Sequence, residues 1–293
     1  MNVKKLKVLS LLLIIVQVFG TSISYATTFN SRLLTKASRL ANIQVKSYKS
    51  FDEALKHCQK SGYENRDIVE VVAQKNAILR AQMKNNQFLD SVYLRAVTGV
   101  ALALEVNKLR VIDFGGGGGS HYTIARSVLD PKIKLRWNVV ETNAMVEAAN
   151  YLRNDELNFF NDIQSAVDDL ESVDLVLTSG TLHCTKNPYD FLQKLIAVEA
   201  QYLFITRTSF NDGSETLINV QKSLLSDNGP GPLPSGFVDK VVFYPNVFIP
   251  LAQVETALRS TYNIKFKSLE DKDVYRIGNI SINMYGYFCE KKV

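Results

Sequence analysis

Apolar and polar positions change rhythm several times along the 293-residue chain. A largely apolar run covers residues 8–20, just after Lys4, Lys5 and Lys7. Residues 27–49 are polar and basic without a sustained period, the pattern of a linker. Helical spacing starts at Ser50. With Glu53 three positions later, this serine has the signature of a capping box, and Gly62 is placed to end that first helix. Two further helical stretches follow at 65–83 and 86–106. In the second, Phe88, Val92, Ala96, Val100 and Leu104 recur every fourth residue, an apolar stripe suited to packing on a core. Residues 50–107 therefore read as a helical prelude.

From residue 109 short apolar runs alternate with helical stretches, the rhythm of strands buried on both faces and joined by crossover helices. The runs are 109–114, 135–140, 157–160, 174–178 and 202–206, and the helices fall near 120–129, 143–153, 162–170 and 188–199. Asn187-Pro188 is suited to start the last of these, with Asn as N-cap and Pro at the first helical position. Residues 210–249 break the rhythm, and the run Gly229-Pro230-Gly231-Pro232-Leu233-Pro234 predicts a long irregular insertion, a lid or binding loop. A helix marked by Leu251, Val254 and Leu258 comes next, then two strands at 263–269 and 280–289 suited to antiparallel pairing. The expected fold is α/β, a Rossmann-like, seven-stranded, mostly parallel sheet with an antiparallel C-terminal strand, spanning 108–293.

Composition adds little. The hydrophobic fraction of 46% is enough for an ordinary core, and the charged fraction is 22%. Three of the five net positive charges belong to the lysines of residues 1–26. No basic stripe interleaved with aromatics is present, which argues against a nucleic-acid partner. Cys58, Cys184 and Cys289 stand far apart, and an odd, unclustered set makes neither a disulfide framework nor a metal site.

The informative residues are Val111-Ile112-Asp113-Phe114-Gly115-Gly116-Gly117-Gly118-Gly119, an apolar strand running into an acid and five glycines ahead of a helix. Glycine admits positive φ and removes side chains, so a ligand can lie against backbone and the unpaired amides of the helix start. This is a nucleotide-type site at the carboxyl end of the first strand. The dinucleotide fingerprint fails, since the sixth position is Ser120 or His121 according to the starting glycine, and no Lys-Ser/Thr completes a phosphate loop.

What fits is acid-x-Gly-x-Gly-x-Gly, as Asp113, Gly115, Gly117 and Gly119. This resembles motif I of the class I S-adenosylmethionine-dependent methyltransferases. The resemblance implies S-adenosylmethionine as methyl donor, with Asp113 near its cationic amino group and the glycines admitting its ribose and methionine parts. Glu141, ending the second strand run, is suited to bind the ribose hydroxyls. Asp162 resembles the superfamily's acid that meets the adenine amino group; as the second residue of Asn161-Asp162 it is also a helix cap.

A narrower resemblance, to a little-characterised bacterial family of methyltransferases linked to surface-polysaccharide pathways, covers 48–289. It is carried by Tyr48-Lys49-Ser50-Phe51-Asp52-Glu53-Ala54, Asp113-Phe114-Gly115-Gly116, Arg136-Trp137-Asn138-Val139-Val140-Glu141, Pro188-Tyr189-Asp190-Phe191-Leu192 and Thr206-Arg207-Thr208-Ser209-Phe210. It implies a small-molecule or saccharide acceptor. The family has a strand-end acid where Thr206 stands here.

Methyl transfer asks the protein to position an acceptor and exclude water, with a general base only for a poor nucleophile such as a hydroxyl. His183 is the candidate base, against a loop or pocket-wall role; Arg207 is the candidate for an anionic acceptor, against a surface ion pair. His121 and Tyr122 read as pocket wall. A catalytically silent S-adenosylmethionine-binding partner protein and, distantly, an NAD-dependent oxidoreductase stay open.

Residues 1–26 have the pattern of a signal peptide, with Ser24-Tyr25-Ala26 as the cleavage site, or of a marginal membrane anchor. S-adenosylmethionine is made in the cytosol, so membrane association facing the cytoplasm is the expectation. The alternatives are a start codon assigned too early, or export after cleavage near Ala26.

Overall fold

A computed structural model describes residues 46–84, 99, 100, 103 and 107–293. The expected tail at 1–26 and most of the linker lie outside the described residues. So does the apolar stripe of 86–106, apart from Gly99, Val100 and Ala103, which are helical. No described helix is long and apolar enough to cross a membrane.

The apolar runs become strands, as their two-sided burial requires. They are β1 (Lys108–Phe114), β2 (Lys134–Val140), β3 (Leu157–Phe160), β4 (Leu175–Ser179) and β5 (Tyr202–Asn211). The chain closes with β8 (Tyr262–Ile277) and β9 (Ile280–Lys291). These seven form one sheet in the order β3-β2-β1-β4-β5-β9-β8. β1 to β5 pair in parallel, while β9 runs antiparallel to both β5 and β8. This is the seven-stranded, mostly parallel, Rossmann-like sheet expected.

Alternation along each strand divides the core. Ile112, Phe114, Val176, Leu203 and Ile205 face one layer. There they meet α5 (Ile163–Leu170), α6 (Pro188–Ala197) and α7 (Leu251–Thr261). Leu109, Val111, Leu175, Leu177 and Phe204 face the other layer, with Tyr122 and Ala125 of α3 (Ser120–Val128) and Ala149 of α4 (Asn143–Ala149). Burying one such side chain stabilises the fold by roughly 1.5–3 kcal/mol.

The prelude is shorter and more broken than its pattern predicts. α1 is only Phe51–Leu55. Ser50 Oγ accepts from the Glu53 amide at 3.1 Å, but the Glu53 carboxylate reaches the Lys49 amide (2.8 Å), one residue before the cap. Gly62 does not close this helix. At φ +55°, after Ser61 at φ +72°, it opens a single 3-10 turn, Gly62–Glu64, that aims Tyr63 at the sheet's far end. α2 (Arg66–Lys84) matches the second stretch, and its Ile68, Val69, Val71 and Val72 form a third apolar cluster with Met145, Leu225, Val242 and Tyr244.

The expected irregular insertion at 210–249 needs correcting. β5 continues to Asn211, and β6 (Leu217–Leu224) pairs antiparallel with β7 (Val241–Phe248) in a separate two-stranded sheet. Residues 212–216 and 225–240, the latter holding the Gly-Pro run, lack strand. The hairpin is clasped to the prelude. Gln59 hydrogen-bonds both edges of Val241–Phe243, and buried Lys75 donates to the Ser226 carbonyl at 2.6 Å. It is a fixed roof over the end of the sheet.

Candidate functional site

The order β3-β2-β1-β4-β5 reverses direction between β1 and β4, and in open α/β sheets ligands bind at the carboxyl ends of strands at such a switch point. The five glycines sit there, each disfavouring a side chain by its torsion or by its surroundings. Gly115, Gly117 and Gly119 have φ of +75°, +57° and +83°, a conformation costing a residue with a Cβ roughly 1–2 kcal/mol. Gly116 and Gly118 have ordinary φ, yet a Cβ on Gly116 would strike the Asp113 carboxylate, and one on Gly118 would come within 2.7 Å of Asn76 Cβ. The alternation of the acid-x-Gly-x-Gly-x-Gly pattern is thus an alternation of backbone handedness.

Asp113, expected near the donor's amino group, is engaged within the protein itself. Its side chain is fully buried and accepts from Trp137 Nε1 at 3.0 Å and from His121 Nδ1 at 3.0 Å. Trp137 lies on neighbouring β2, and His121 in the first turn of α3. The acid therefore ties the strand to the helix on either side of the glycine turn and makes the turn rigid. His121, read as pocket wall, belongs to this tie. Sequence reasoning missed the role of Trp137, although a Trp inside a central strand must find an acceptor for its indole N–H.

Glu141 stands where its position one βαβ step on puts it. One carboxylate oxygen accepts from the Gly117 amide (3.0 Å), the other from the Thr142 amide (3.0 Å). Each carboxylate oxygen keeps a further lone pair for a hydroxyl donor. Burial raises its pKa to about 7, against the lowering effect of the two amides and with repulsion from Asp113 and Glu64 adding to the rise. The sign follows from linkage. The folded state binds the proton more tightly than the unfolded chain, so this group's stabilising contribution is present at low pH and is lost as pH rises through about 7. Thermal melts of the ligand-free protein are expected to fall between pH 5.5 and 8, and Glu141→Gln is expected to flatten that decline. An unaltered slope would show that Glu141 titrates normally.

Asp162 is exposed and is a helix cap: its carboxylate accepts from the Ser165 amide at 2.8 Å, and that bond lowers its pKa. Asn187 makes no side-chain cap at the start of α6, where Pro188 does hold the first position.

His183 is buried in the 3-10 turn Leu182–Cys184 after β4, stacked on Phe248 of the hairpin with ring centroids 6.2 Å apart. Its Nδ1 accepts a long bond from the Ser209 amide at 3.4 Å, so the proton sits on Nε2 and the ring faces its remaining surroundings as a donor. Burial, reinforced by Arg207, lowers its pKa to about 4. Burial and the Ser209 bond to Nδ1 both act against the general-base role expected for His183. His183→Ala is expected to destabilise the fold by about 2–4 kcal/mol, through loss of a buried ring and its hydrogen bond, read as a lower melting temperature. An unshifted melt would remove the ring from the core.

Arg207 is exposed, at φ +52°, inside the bulge that shifts the β5–β9 register between Ile205 and Thr208. Its guanidinium carbon lies against Gly180, about 4.0 Å from where a Cβ would stand. The expected alternative of a surface ion pair is not met: its side chain makes neither ion pair nor hydrogen bond among the described residues. An acid does stand beside Thr206, but it comes from β8. Glu270 accepts from Thr206 Oγ1 at 2.6 Å and from the Arg207 amide at 2.7 Å. Tyr63 was also missed. Its ring packs edge-on to Tyr244 at 5.1 Å, and its phenol is held protonated by burial within reach of Glu141, Cys184 and Arg207. Among the described residues no cluster of His, Cys, Asp and Glu is set to hold a metal.

The strand order, with its antiparallel last strand and a glycine turn after β1, is the class I methyltransferase fold. No family model and no curated protein matches the sequence. Solved structures with a similar course include the N-terminal domain of EvdMO1 with SAH bound, at 15% identity and TM-score 0.44, over 70% of this chain and 83% of that one. A S-adenosylmethionine-dependent methyltransferase from Clostridium acetobutylicum matches at 12% identity and TM-score 0.43, over 75% and 99% of the two chains. The CcbJ methyltransferase from Streptomyces caelestis matches at 11% identity and TM-score 0.42, over 68% and 95%. The fold assignment rests on this chain's own strand order.

Proposed function

We propose that the protein is a S-adenosylmethionine-dependent methyltransferase acting on a small-molecule acceptor, a sugar or surface-polysaccharide precursor. The observation that carries the reading is the pairing of Glu141 with the glycine turn at the switch point. A ribose needs two adjacent acceptors for its hydroxyls, and the Glu141 carboxylate is held by backbone amides with acceptor capacity to spare. The methyl donor supplies its own activated methyl group. The protein's residues do the rest: the rigid turn holds the donor's nucleoside end, and the clasped hairpin roofs the site against water.

Titration calorimetry of the full chain with S-adenosylhomocysteine tests this. Saturable binding that weakens in Glu141→Ala is expected, and absence of any heat with a folded protein would overturn the reading. For localisation, residues 1–26 are read as a membrane-associated segment facing the cytoplasm, where the donor is made. N-terminal sequencing beginning at Thr27 would refute that.

A further inference from the structure

Arg207 is built into the site at a cost. A left-handed residue with a Cβ is strained, and such strain persists where the surroundings enforce it. Here the bulge in β5 turns the side chain towards Gly180 and the 3-10 turn after β4, so the charge sits beside the Gly115–Thr181 contact at the mouth of the glycine turn. The nearby acids are otherwise engaged. Glu270 is held by Thr206 and the Arg207 backbone, and Glu141 by two amides.

The polar groups around that guanidinium share one property: they donate. His183 presents Nε2–H, because Nδ1 is engaged by Ser209. The Tyr63 hydroxyl has no hydrogen-bond partner among the described residues. The Cys184 thiol donates to the Gly180 carbonyl or to Asn246 Oδ1, each at 3.6 Å, and burial pushes its pKa up to about 12. A hydroxyl acceptor must hand its proton to a base, and the acids of this neighbourhood, Glu141 and Glu270, are each already held by two donors. A carboxylate arrives already ionised and matches both the planar charge and the donors.

Resting on the methyltransferase reading above, we propose that Arg207 receives a carboxylate of the acceptor and that a carboxylate oxygen is the atom methylated, giving a methyl ester. An oxygen lone pair forms the new bond to the methyl carbon as the sulfur–carbon bond breaks, and that bonding pair stays on sulfur. A sulfonium and a carboxylate become a neutral thioether and a neutral ester, and no proton is released. The ester no longer carries the charge that Arg207 holds, which favours product release.

The test uses the full chain, uniformly labelled with nitrogen-15 and saturated with S-adenosylhomocysteine. Acetate, inorganic phosphate and glycerol are the probes. Acetate is expected to shift the Arg207 Nε–Hε resonance saturably in the millimolar range, glycerol to leave it unmoved, and Arg207→Lys to weaken acetate binding at least tenfold, read from the other site resonances. Arg207→Met, which keeps the side chain's length, is expected to abolish it. No acetate shift, or phosphate binding ten times tighter than acetate, overturns the proposal while S-adenosylhomocysteine binding is intact. Failure of S-adenosylhomocysteine itself to bind is seen first, and overturns the parent reading instead. In a second arm, tritiated methyl groups transferred from S-adenosylmethionine to a bacterial metabolite pool are expected to be released as methanol at pH 11. Alkali-stable label, the mark of an ether or amine, overturns the ester.

Discussion

Asp113→Ala is expected to lower the melting temperature by about 5–15 °C, since each of the two donors left unpaired costs roughly 1–3 kcal/mol and a domain of this size loses about 2–4 °C per kcal/mol. Both donors lose their acceptor at once. The Trp137 indole is fully buried, so water cannot replace the carboxylate there, whereas His121 at the start of α3 is partly exposed and recovers some of its loss. The larger consequence is local. Without the acid, β2 and α3 keep only apolar packing, such as the edge-on contact of Tyr122 with Trp137, and lose the polar tie across the glycine turn, so S-adenosylhomocysteine affinity should fall by more than tenfold. Asp113→Asn separates the two effects. Its amide oxygen still accepts from Trp137 but is a weaker partner for His121, so the melt should recover most of its loss and affinity only part. Melting scans and calorimetry on the three proteins check this. An Asp113→Ala protein that binds S-adenosylhomocysteine like the parent would show that the acid plays no part in shaping the turn.

That Asp113 acts inside the protein marks the boundary of what the sequence reveals. β1 to β5 could be read because burial on both faces makes each strand a continuous apolar run, and those runs lie within a few residues of the observed elements. The hairpin β6–β7 could not. Asn219 and Asn246 face each other across it, both fully buried, and Gln221 and Tyr244 are the next inward-facing pair, so polar residues interrupt its inner face and the period-two apolar signal is lost. These buried polar positions are why the segment reads as irregular loop. At the site, the glycines and Glu141 could be placed because both are fixed by position along one βαβ unit. Tyr63 and Glu270 could not, since they arrive from a 3-10 turn before the sheet and from a strand after it. His183 was found, but its role depended on which ring nitrogen the Ser209 amide reaches, and that follows from β4 and β5 lying side by side.

Two glycines with nearly the same torsion permit a sharper test of the turn. Gly115 has φ +75° and Gly231 φ +74°, so alanine meets the same backbone penalty at both, roughly 1–2 kcal/mol. Their surroundings differ. A Cβ on Gly231 meets nothing within 4 Å, whereas one on Gly115 would overlap the Thr181 side chain, whose hydroxyl donates to the Gly115 carbonyl at 3.3 Å. Relieving that overlap requires the turn after β1 and the turn after β4 to separate, and the proposed donor site lies between them. Gly231→Ala is expected to shift the melt by a few degrees and leave S-adenosylhomocysteine affinity as it was. Gly115→Ala should add about 1–3 kcal/mol of overpacking, and because the strain falls on the site itself the loss should appear as a 10- to 100-fold weaker affinity. Equal losses in the two variants would mean that torsion alone matters and that contact between the two turns carries no weight. Full affinity in Gly115→Ala would move the methyl donor away from the glycine turn altogether, since no bound nucleoside could span two turns forced apart without registering the change.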